Sequence, residues 1–325
     1  MAKKTVRSRL LELLEQNKGS VISGEKIAEE LGCTRAAVWK AVKALKEDGY
    51  EIEAGSNRGY CLSAASNHLA VEGIRPFLKT PQVYLKLYQE TDSTNRAAKQ
   101  AAVAGEAGHG SAILARRQSA GRGRRGRNFY SPEDAGLYLS IILEPRGSLR
   151  ESLLLTAEAA VAVYKAVKQI TGIPLDIKWV NDLYYNGKKV CGILTEAVTD
   201  FESGEIQFAV VGIGLNLYET EGGYPRELQG IAGGLYKTSR EAAAVNRNHL
   251  AAAVINCILE ETRELRLPSE YAERNIVPGH MVEIIDGERS RTARALEICP
   301  DGRLKIQEKD GSETLLSYGE ISLKI

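Results

Sequence analysis

The sequence predicts a multidomain α+β protein, and three changes of texture along its 325 residues predict it. Residues 1–65 read as three short helices and two strands. Residues 66–275 alternate strand and helix patterns, and residues 276–325 read as short strands with tight turns. The length agrees, since an ordinary domain takes roughly 150 residues. With 43% hydrophobic and 26% charged residues, wholesale disorder is excluded.

In the first region Val6, Leu10, Leu13 and Leu14 recur at helical spacing until Gly19. Gly24 to Leu31 fits a second helix, and Gly32-Cys33 makes a tight turn. Thr34 then caps a third helix from Arg35 to about Glu47. Val38, Ala41, Val42 and Leu45 form its inward stripe, which leaves Ala36, Trp39, Lys40 and Lys43 outward and Arg35 at its amino end. Two short strands around the turn Gly55 to Gly59 complete a winged helix, with Arg58 in the wing. Thr34, Arg35, Ala36, Trp39, Lys40, Lys43 and Arg58 are therefore the candidate DNA contacts. Residues 1–65 hold 11 Lys or Arg against 9 Asp or Glu, so the helical spacing carries this reading and the charge does not. Ser63 to Asn67, small and polar, reads as a hinge.

The last region carries Asp286-Gly287, Asp301-Gly302 and Asp310-Gly311, three hairpin-turn signals between alternating apolar runs. They predict a small, partly closed β barrel that docks on the middle region, because so short a segment buries little alone.

The middle region carries the chemistry. Gly121, Gly123 and Gly126 satisfy a dinucleotide-binding glycine pattern, but no helix opens within it and four arginines, Arg122, Arg124, Arg125 and Arg127, crowd in and beside its spacers. Glycine mobility with a dense set of guanidinium forks suits a polyanionic phosphate instead. Mutual repulsion of those arginines predicts an open loop that orders on an anion. Lys178-Trp179-Val180-Asn181-Asp182, followed by an Asn186-Gly187 hairpin and Lys188-Lys189, places oxygen donors suited to magnesium beside cations suited to phosphate. Phe208 to Asn216 reads as a buried strand whose glycines admit a ligand or another backbone. Asp92-Ser93-Thr94-Asn95 reads as a helix cap with polar groups to spare.

The net charge of +1 argues for no partner by itself. Five cysteines, odd in number and never in a C-x-x-C pair, read as buried reduced thiols and suggest neither a disulfide frame nor a zinc site. The amphipathic start lacks a secretory pattern and no window reaches a membrane span, so a cytoplasmic protein without membrane contact is expected.

From the winged helix through DSTN, QSAGRGRRGR, KWVND, GKKVCGIL and GIGLN to the terminal GEISLK, the chain resembles the bacterial bifunctional biotin ligases that also repress the biotin operon. The resemblance implies a class II synthetase-like central sheet and an SH3-like terminal barrel. It also implies activation of biotin with MgATP to biotinyl-adenylate, and transfer of biotin to a lysine of a carboxylase carrier domain. Repression would come from an adenylate-bound homodimer on operator DNA. Position by position, it assigns Ser93, Thr94, Asn95 and Gln118 to the biotin head. Arg122, Gly123 and Arg124 would wrap biotin and phosphate, and Lys189 would reach the carboxylate and α-phosphate. Lys178, Asn181 and Asn216 would lie about the nucleotide, with Asp182 on Mg2+; Arg124 and Lys189 are the catalytic pair. Val180 stands where the family usually has proline, a change that loosens this turn. Glycine-rich Tyr218 to Leu235 would be a mobile loop over the adenylate. A repressor that only senses its ligand, or a ligase for lipoate, are the alternatives. Arg124, Lys189, Asp182 and Asn216 together speak against the sensor, which needs no magnesium chemistry.

Overall fold

The computed structural model describes residues 5–55, 59–145, 152–199, 206–286, 289–317 and 320–323. The chain falls into two compact units, one within residues 1–82 and 240–253, the other within 83–239 and 254–325.

The first unit opens with α1 (Val6–Gln16), α2 (Gly24–Glu30) and α3 (Arg35–Glu47), then β1 (Ile52–Gly55) and β2 (Gly59–Leu62). Thr5, Ser23 and Thr34 cap the three helices, each side chain accepting from the N–H three residues on. Leu10, Leu14, Ile27, Val38, Val42 and Leu45 form a closed core, as the spacing required. Ile22 and Tyr60 exchange two backbone bonds of 2.9 and 2.8 Å, which adds a third short strand to the wing. Gly59 has a φ of 96°, and a Cβ there would lie 2.2 Å from the Ile22 carbonyl oxygen, so only glycine fits. Arg58 lies outside the described residues.

The expected hinge at Ser63 to Asn67 is instead bonded into this unit. The Ser63 N–H donates to the Glu51 carbonyl at 2.8 Å, buried Ser66 takes Lys18 Nζ on its carbonyl, and Asn67 Oδ1 accepts from the Arg247 N–H at 3.0 Å. Polar composition allowed a free linker, but these acceptors found donors within the fold. After α4 (Val71–Ile74), buried Asn248 donates to Glu15 and accepts from the Ala70 N–H.

The second unit is built on a seven-stranded mixed sheet. Its elements in chain order are β3 (Leu85–Thr91), α5 (Thr94–Val103), β4 (Ala112–Gln118), β5 (Gly136–Leu143), α6 (Ser152–Thr171), β6 (Asp176–Lys178), β7 (Asp182–Tyr185), β8 (Lys188–Thr199) and β9 (Ile206–Asn216). The sheet order is β3-β4-β5-β9-β8-β7-β6, with β3 and β4 parallel and the other pairs antiparallel. All eight residues of β5 are buried, which places the core at the sheet centre. α5 covers one face through Asn95, and α6 reaches the other through a Thr156–Thr195 hydroxyl bond of 2.8 Å. The chain continues with α7 (Ser239–Ala242) and α8 (Arg247–Glu261), whose residues 240–253 belong to the first unit, and with α9 (Ser269–Glu273).

The terminal strands β10 (Met281–Asp286), β11 (Arg289–Ile298), β12 (Leu304–Gln307), β13 (Glu313–Leu316) and β14 (Glu320–Leu323) form an antiparallel sheet of order β13-β12-β11-β10-β14. Of the five cysteines expected to be buried, only Cys61 and Cys191 are; Cys33, Cys257 and Cys299 are half-buried. Among the described residues no helix is long and apolar enough to cross a membrane.

Candidate active site

The face of the sheet toward α5 is cleared of side chains at Gly192, Gly212 and Gly214. Gly192 pairs with Gly214 and Leu194 with Gly212 across β8 and β9, so these glycines lie together on one face. A Cβ at Gly212 would fall 2.0 Å from Asn95 Oδ1, and one at Gly214 would fall 2.4 Å from the Phe129 ring. The glycines make room, then, for the Asn95 and Phe129 side chains.

Asn95 and Phe129 therefore lie close against the strands, and a polar network surrounds Asn95. Thr94 donates from its N–H and its hydroxyl to Gln118 Oε1 at 2.8 and 3.1 Å, and Gln118 Nε2 donates to Ser131 Oγ at 2.9 Å. Ser140 Oγ lies 2.7 Å from Thr94 Oγ1 and 2.6 Å from Asn95 Oδ1, its one proton serving either acceptor. Asn95 Nδ2 donates to the Leu194 carbonyl at 3.2 Å and to Glu196 Oε2 at 3.0 Å. Ser93, Thr94, Asn95 and Ser140 are all buried. At the start of α5 the cap is not the expected local one. Ser93 caps no N–H with its side chain, and Gln118 reaches over from β4 to accept from the Thr94 N–H. A buried wall of neutral donors and acceptors suits an uncharged polar ligand head.

The arginine loop folds back above this wall. Gly123 N–H donates to the Arg127 carbonyl at 2.7 Å and Phe129 N–H to the Gly121 carbonyl at 2.8 Å, with a turn at Arg124 to Gly126 between them. The expectation of a loop held open by repulsion is corrected, because the arginines take separate acceptors. Arg122 Nη1 lies 3.2 Å from Glu196 Oε1, Arg124 Nη1 donates to Asn181 Oδ1 at 3.3 Å, and Arg125 Nη1 donates to the Ile285 carbonyl at 3.0 Å.

Beyond Arg124 lies a second charged group. Lys189 Nζ is 2.6 Å from Asp182 Oδ1, and Asp182 pairs across the sheet with Lys178, whose Nζ stands 5.6 Å from the centre of the Tyr184 ring. Burial, and then the Asp182 charge, push the Tyr184 phenol up to about 12. The turn at Val180 is not loose. Its peptide with Trp179 is cis, the Tyr271 hydroxyl donates to the Val180 carbonyl at 2.8 Å, and the Trp179 indole donates to the Gly302 carbonyl at 2.9 Å. Asn181 donates to the Ile193 carbonyl at 2.8 Å. Hydrogen bonds from α9 and from the turn between β11 and β12 thus hold what a proline ring would otherwise constrain.

Asn216, at the end of β9, is hydrogen-bonded within the chain. It is buried, and its Nδ2 donates to the Gly233 carbonyl at 3.1 Å, so it anchors the glycine-rich loop. That loop is stitched down as well, by Lys189 N–H to the Ile231 carbonyl at 2.8 Å, Gly233 N–H to the Lys189 carbonyl at 2.9 Å and Tyr236 N–H to the Leu217 carbonyl at 2.9 Å. Ser131, Ser140, Glu196 and Phe129 escaped the sequence reading. A serine amid the apolar run of β5 was the available signal for Ser140; Glu196 offered none beyond being a lone carboxylate in a strand.

In the first unit Thr34, Arg35, Ala36, Trp39, Lys40 and Lys43 are exposed along α3, with Trp39 57% accessible and Lys43 Nζ 5.9 Å from its ring centre. The Thr34 hydroxyl is committed to the Ala37 N–H.

Comparison with known proteins agrees with this geometry. A family model described as the biotin/lipoate A/B protein ligase family matches residues 87–216, and an HTH domain model matches residues 6–61. The bifunctional ligase/repressor BirA of Bacillus spizizenii is 33% identical over 320 residues, 96% of this chain and 97% of the relative. The Escherichia coli bifunctional ligase/repressor BirA is 29% identical over 338 residues, 100% of this chain and 99% of that protein. A solved biotin protein ligase from Aquifex aeolicus in complex with biotin and ATP has a TM-score of 0.60 at 28% identity, covering 74% of this chain and 98% of that one.

Proposed function

The chain belongs to the bifunctional biotin ligase/repressor family, and from that membership we propose a two-step enzyme that also regulates transcription. It activates biotin with ATP to biotinyl-adenylate and pyrophosphate, then passes biotin to a lysine of a carboxylase carrier domain with release of AMP. Its winged helix binds operator DNA, and the adenylate-bound homodimer is the repressing form. Its place is the cytoplasm, with carrier and operator. The functional modules are residues 1–65 for DNA, 66–275 for the ligase and 276–325 for the terminal β domain.

What carries the catalytic reading is the continuity of the Gln118–Thr94–Ser140–Asn95 network with the loop that bears Arg122 and Arg124. Ser93, Thr94, Asn95 and Gln118 take the uncharged ureido head. The biotin carboxylate then points toward Arg122, Gly123, Arg124 and Lys189, where an anion is favoured. Its oxygen attacks the α-phosphorus in line while pyrophosphate departs. Arg124 and Lys189 reduce the repulsion between the two anions and stabilise the charge building on the phosphate oxygens. In the second step the carrier amine attacks the acyl carbon of the mixed anhydride and AMP leaves, while the folded loop keeps water away. Lys178 and Asn181 lie toward the nucleotide, with Asn216 holding the loop beside it.

Among the described residues no three His, Cys, Asp or Glu side chains converge on a resident metal site. One carboxylate, Asp182, together with substrate phosphates is a donor set that fits Mg2+ carried in with ATP. When bound it neutralises phosphate charge, and Lys189 exchanges its contact with Asp182 for the substrate.

The test is biotin-dependent exchange of labelled pyrophosphate into ATP by the purified protein, with lipoate as the control acid. Exchange with biotin alone is the expected result. Biotin binding that alters operator affinity without any exchange would instead identify a sensor.

A further inference from the structure

Glu196 has no role in the reaction as derived above, yet it joins the two halves of the site. It lies on β8 at the same face as Gly192 and Leu194, four and two residues on from them, so its side chain rises where α5 and the arginine loop meet. Its Oε2 accepts from Asn95 Nδ2 at 3.0 Å. Its Oε1 lies 3.2 Å from Arg122 Nη1 and 3.8 Å from Lys99 Nζ. The Glu196 side chain is only 19% exposed, whereas Arg122 is 49% exposed, so the carboxylate is the fixed partner and the guanidinium the docked one.

We propose that Glu196 is a positioning residue for biotin activation, a latch that ties the arginine loop to the wall receiving the biotin head. The proposal rests on the ligase reading. The carboxylate fixes Asn95 by accepting from its amide, and it draws Arg122 down onto the same point, so head recognition and loop closure share one anchor. With Oδ1 facing Ser140, the Asn95 amide turns its Nδ2 toward Glu196 and the Leu194 carbonyl, and Glu196 takes the shorter of the two bonds. Arg122 is the first arginine of the loop, and its docking sets where the Gly123 to Arg127 turn begins. A half-buried charge-assisted pair of this kind is stronger than a solvent-exposed one.

Glu196→Gln keeps the shape and an acceptor for Asn95 but removes the charge that holds Arg122. Pyrophosphate exchange at varied biotin should show KM raised about tenfold, the shift one lost charge-assisted contact of ~1.4 kcal/mol produces, with kcat within about twofold. Glu196→Asp, which keeps the charge, should recover most of that loss. Arg122→Gln should raise KM as well, and the double variant should be no worse than the poorer single one, because both remove the same contact. Additive effects in the double variant, or a Glu196→Gln protein with the parent KM, would overturn the latch. A fall in thermal stability without a change in KM would also overturn it, by making Glu196 structural only. Absence of exchange in the parent protein would defeat the ligase reading, and the latch with it; exchange in the parent with an unmoved KM in Glu196→Gln would defeat the latch alone.

Discussion

The site face of the large sheet and the outer face of α3 are built in opposite ways. On the sheet, Thr94, Asn95 and Ser140 are buried and each polar group is the partner of another. On α3, Trp39, Lys40 and Lys43 are exposed, and the contacts of Lys43 are a lean on Trp39 and a 3.9 Å approach to Glu47. Removing one member of the first set leaves a buried partner unsatisfied, at a cost of about 1–3 kcal/mol. Removing one member of the second costs the fold almost nothing. The first surface is therefore a unit that fails together, while the second is a sum of independent contributions.

The largest effect should come where a single charge bears directly on the reacting atoms. Lys189→Ala removes the cation that rests 2.6 Å from Asp182 in the free protein and that moves onto the biotin carboxylate and α-phosphate when substrate binds. Pyrophosphate exchange should fall about 10²- to 10³-fold, the range for losing one electrostatic stabiliser. Activity within tenfold of the parent would mean that Arg124 suffices and that the site is less interdependent than its contacts suggest.

Glu158 sharpens the contrast, because it is a buried carboxylate held by a backbone N–H. It lies on α6, accepts from the Arg266 N–H at 2.9 Å and is fully buried. Burial, aided by the Glu261 charge and opposed only partly by that bond and the Arg266 charge, pushes its carboxyl from 4.5 to about 8. The folded state then holds a proton that the unfolded chain releases, so stability is greatest below pH 4.5 as far as this group is concerned and declines as pH rises toward 8. The decline approaches about 1.4 kcal/mol per pH unit within that window. Denaturant unfolding of Glu158→Gln should show a flatter pH dependence there; an unchanged slope would assign the proton elsewhere.

Gly212→Ala tests the crowding directly. The added Cβ would sit 2.0 Å from Asn95 Oδ1, and a buried amide held by Ser140, Leu194 and Glu196 has little room to move. Overpacking of this sort costs about 1–3 kcal/mol. Adding Asn95→Ala opens the space again, so the pair should be less damaging than the sum of the two changes. Strict additivity in thermal melts would show that Gly212 and Asn95 are not coupled.

The same contrast explains what could be read before the structure was known. α3 was legible residue by residue, since Thr34, the stripe Val38 to Leu45 and the outward Trp39, Lys40 and Lys43 follow from one helical period. The arginine loop and Lys189 stood out through local composition. Glu196 and Ser140 were illegible because their importance comes from β5, β8 and α5 meeting across 45 residues and more of sequence. Gly212 and Gly214 were recognised as places of close approach, but which group approaches is decided by the packing of α5 and of Phe129. Tyr218 to Leu235 looked free for a related reason, since backbone bonds to Lys189 and Leu217 leave no trace in composition.

The smallest effect belongs to α3, and there the form of the result matters more than its size. Lys43→Ala should weaken operator binding only a few-fold at moderate salt, and should lower the slope of log affinity against log salt by about 1, as expected for one lost phosphate contact. Lys40→Ala should behave alike, and the two together should sum, because neither side chain holds the other. Trp39→Ala should differ in kind, since an indole 57% accessible to solvent carries no charge for phosphate and would change the preference among DNA sequences while leaving the salt slope intact. If Lys40 and Lys43 prove strongly non-additive, the outer face of α3 is organised like the sheet site after all, with Trp39 as the shared support on which Lys43 leans.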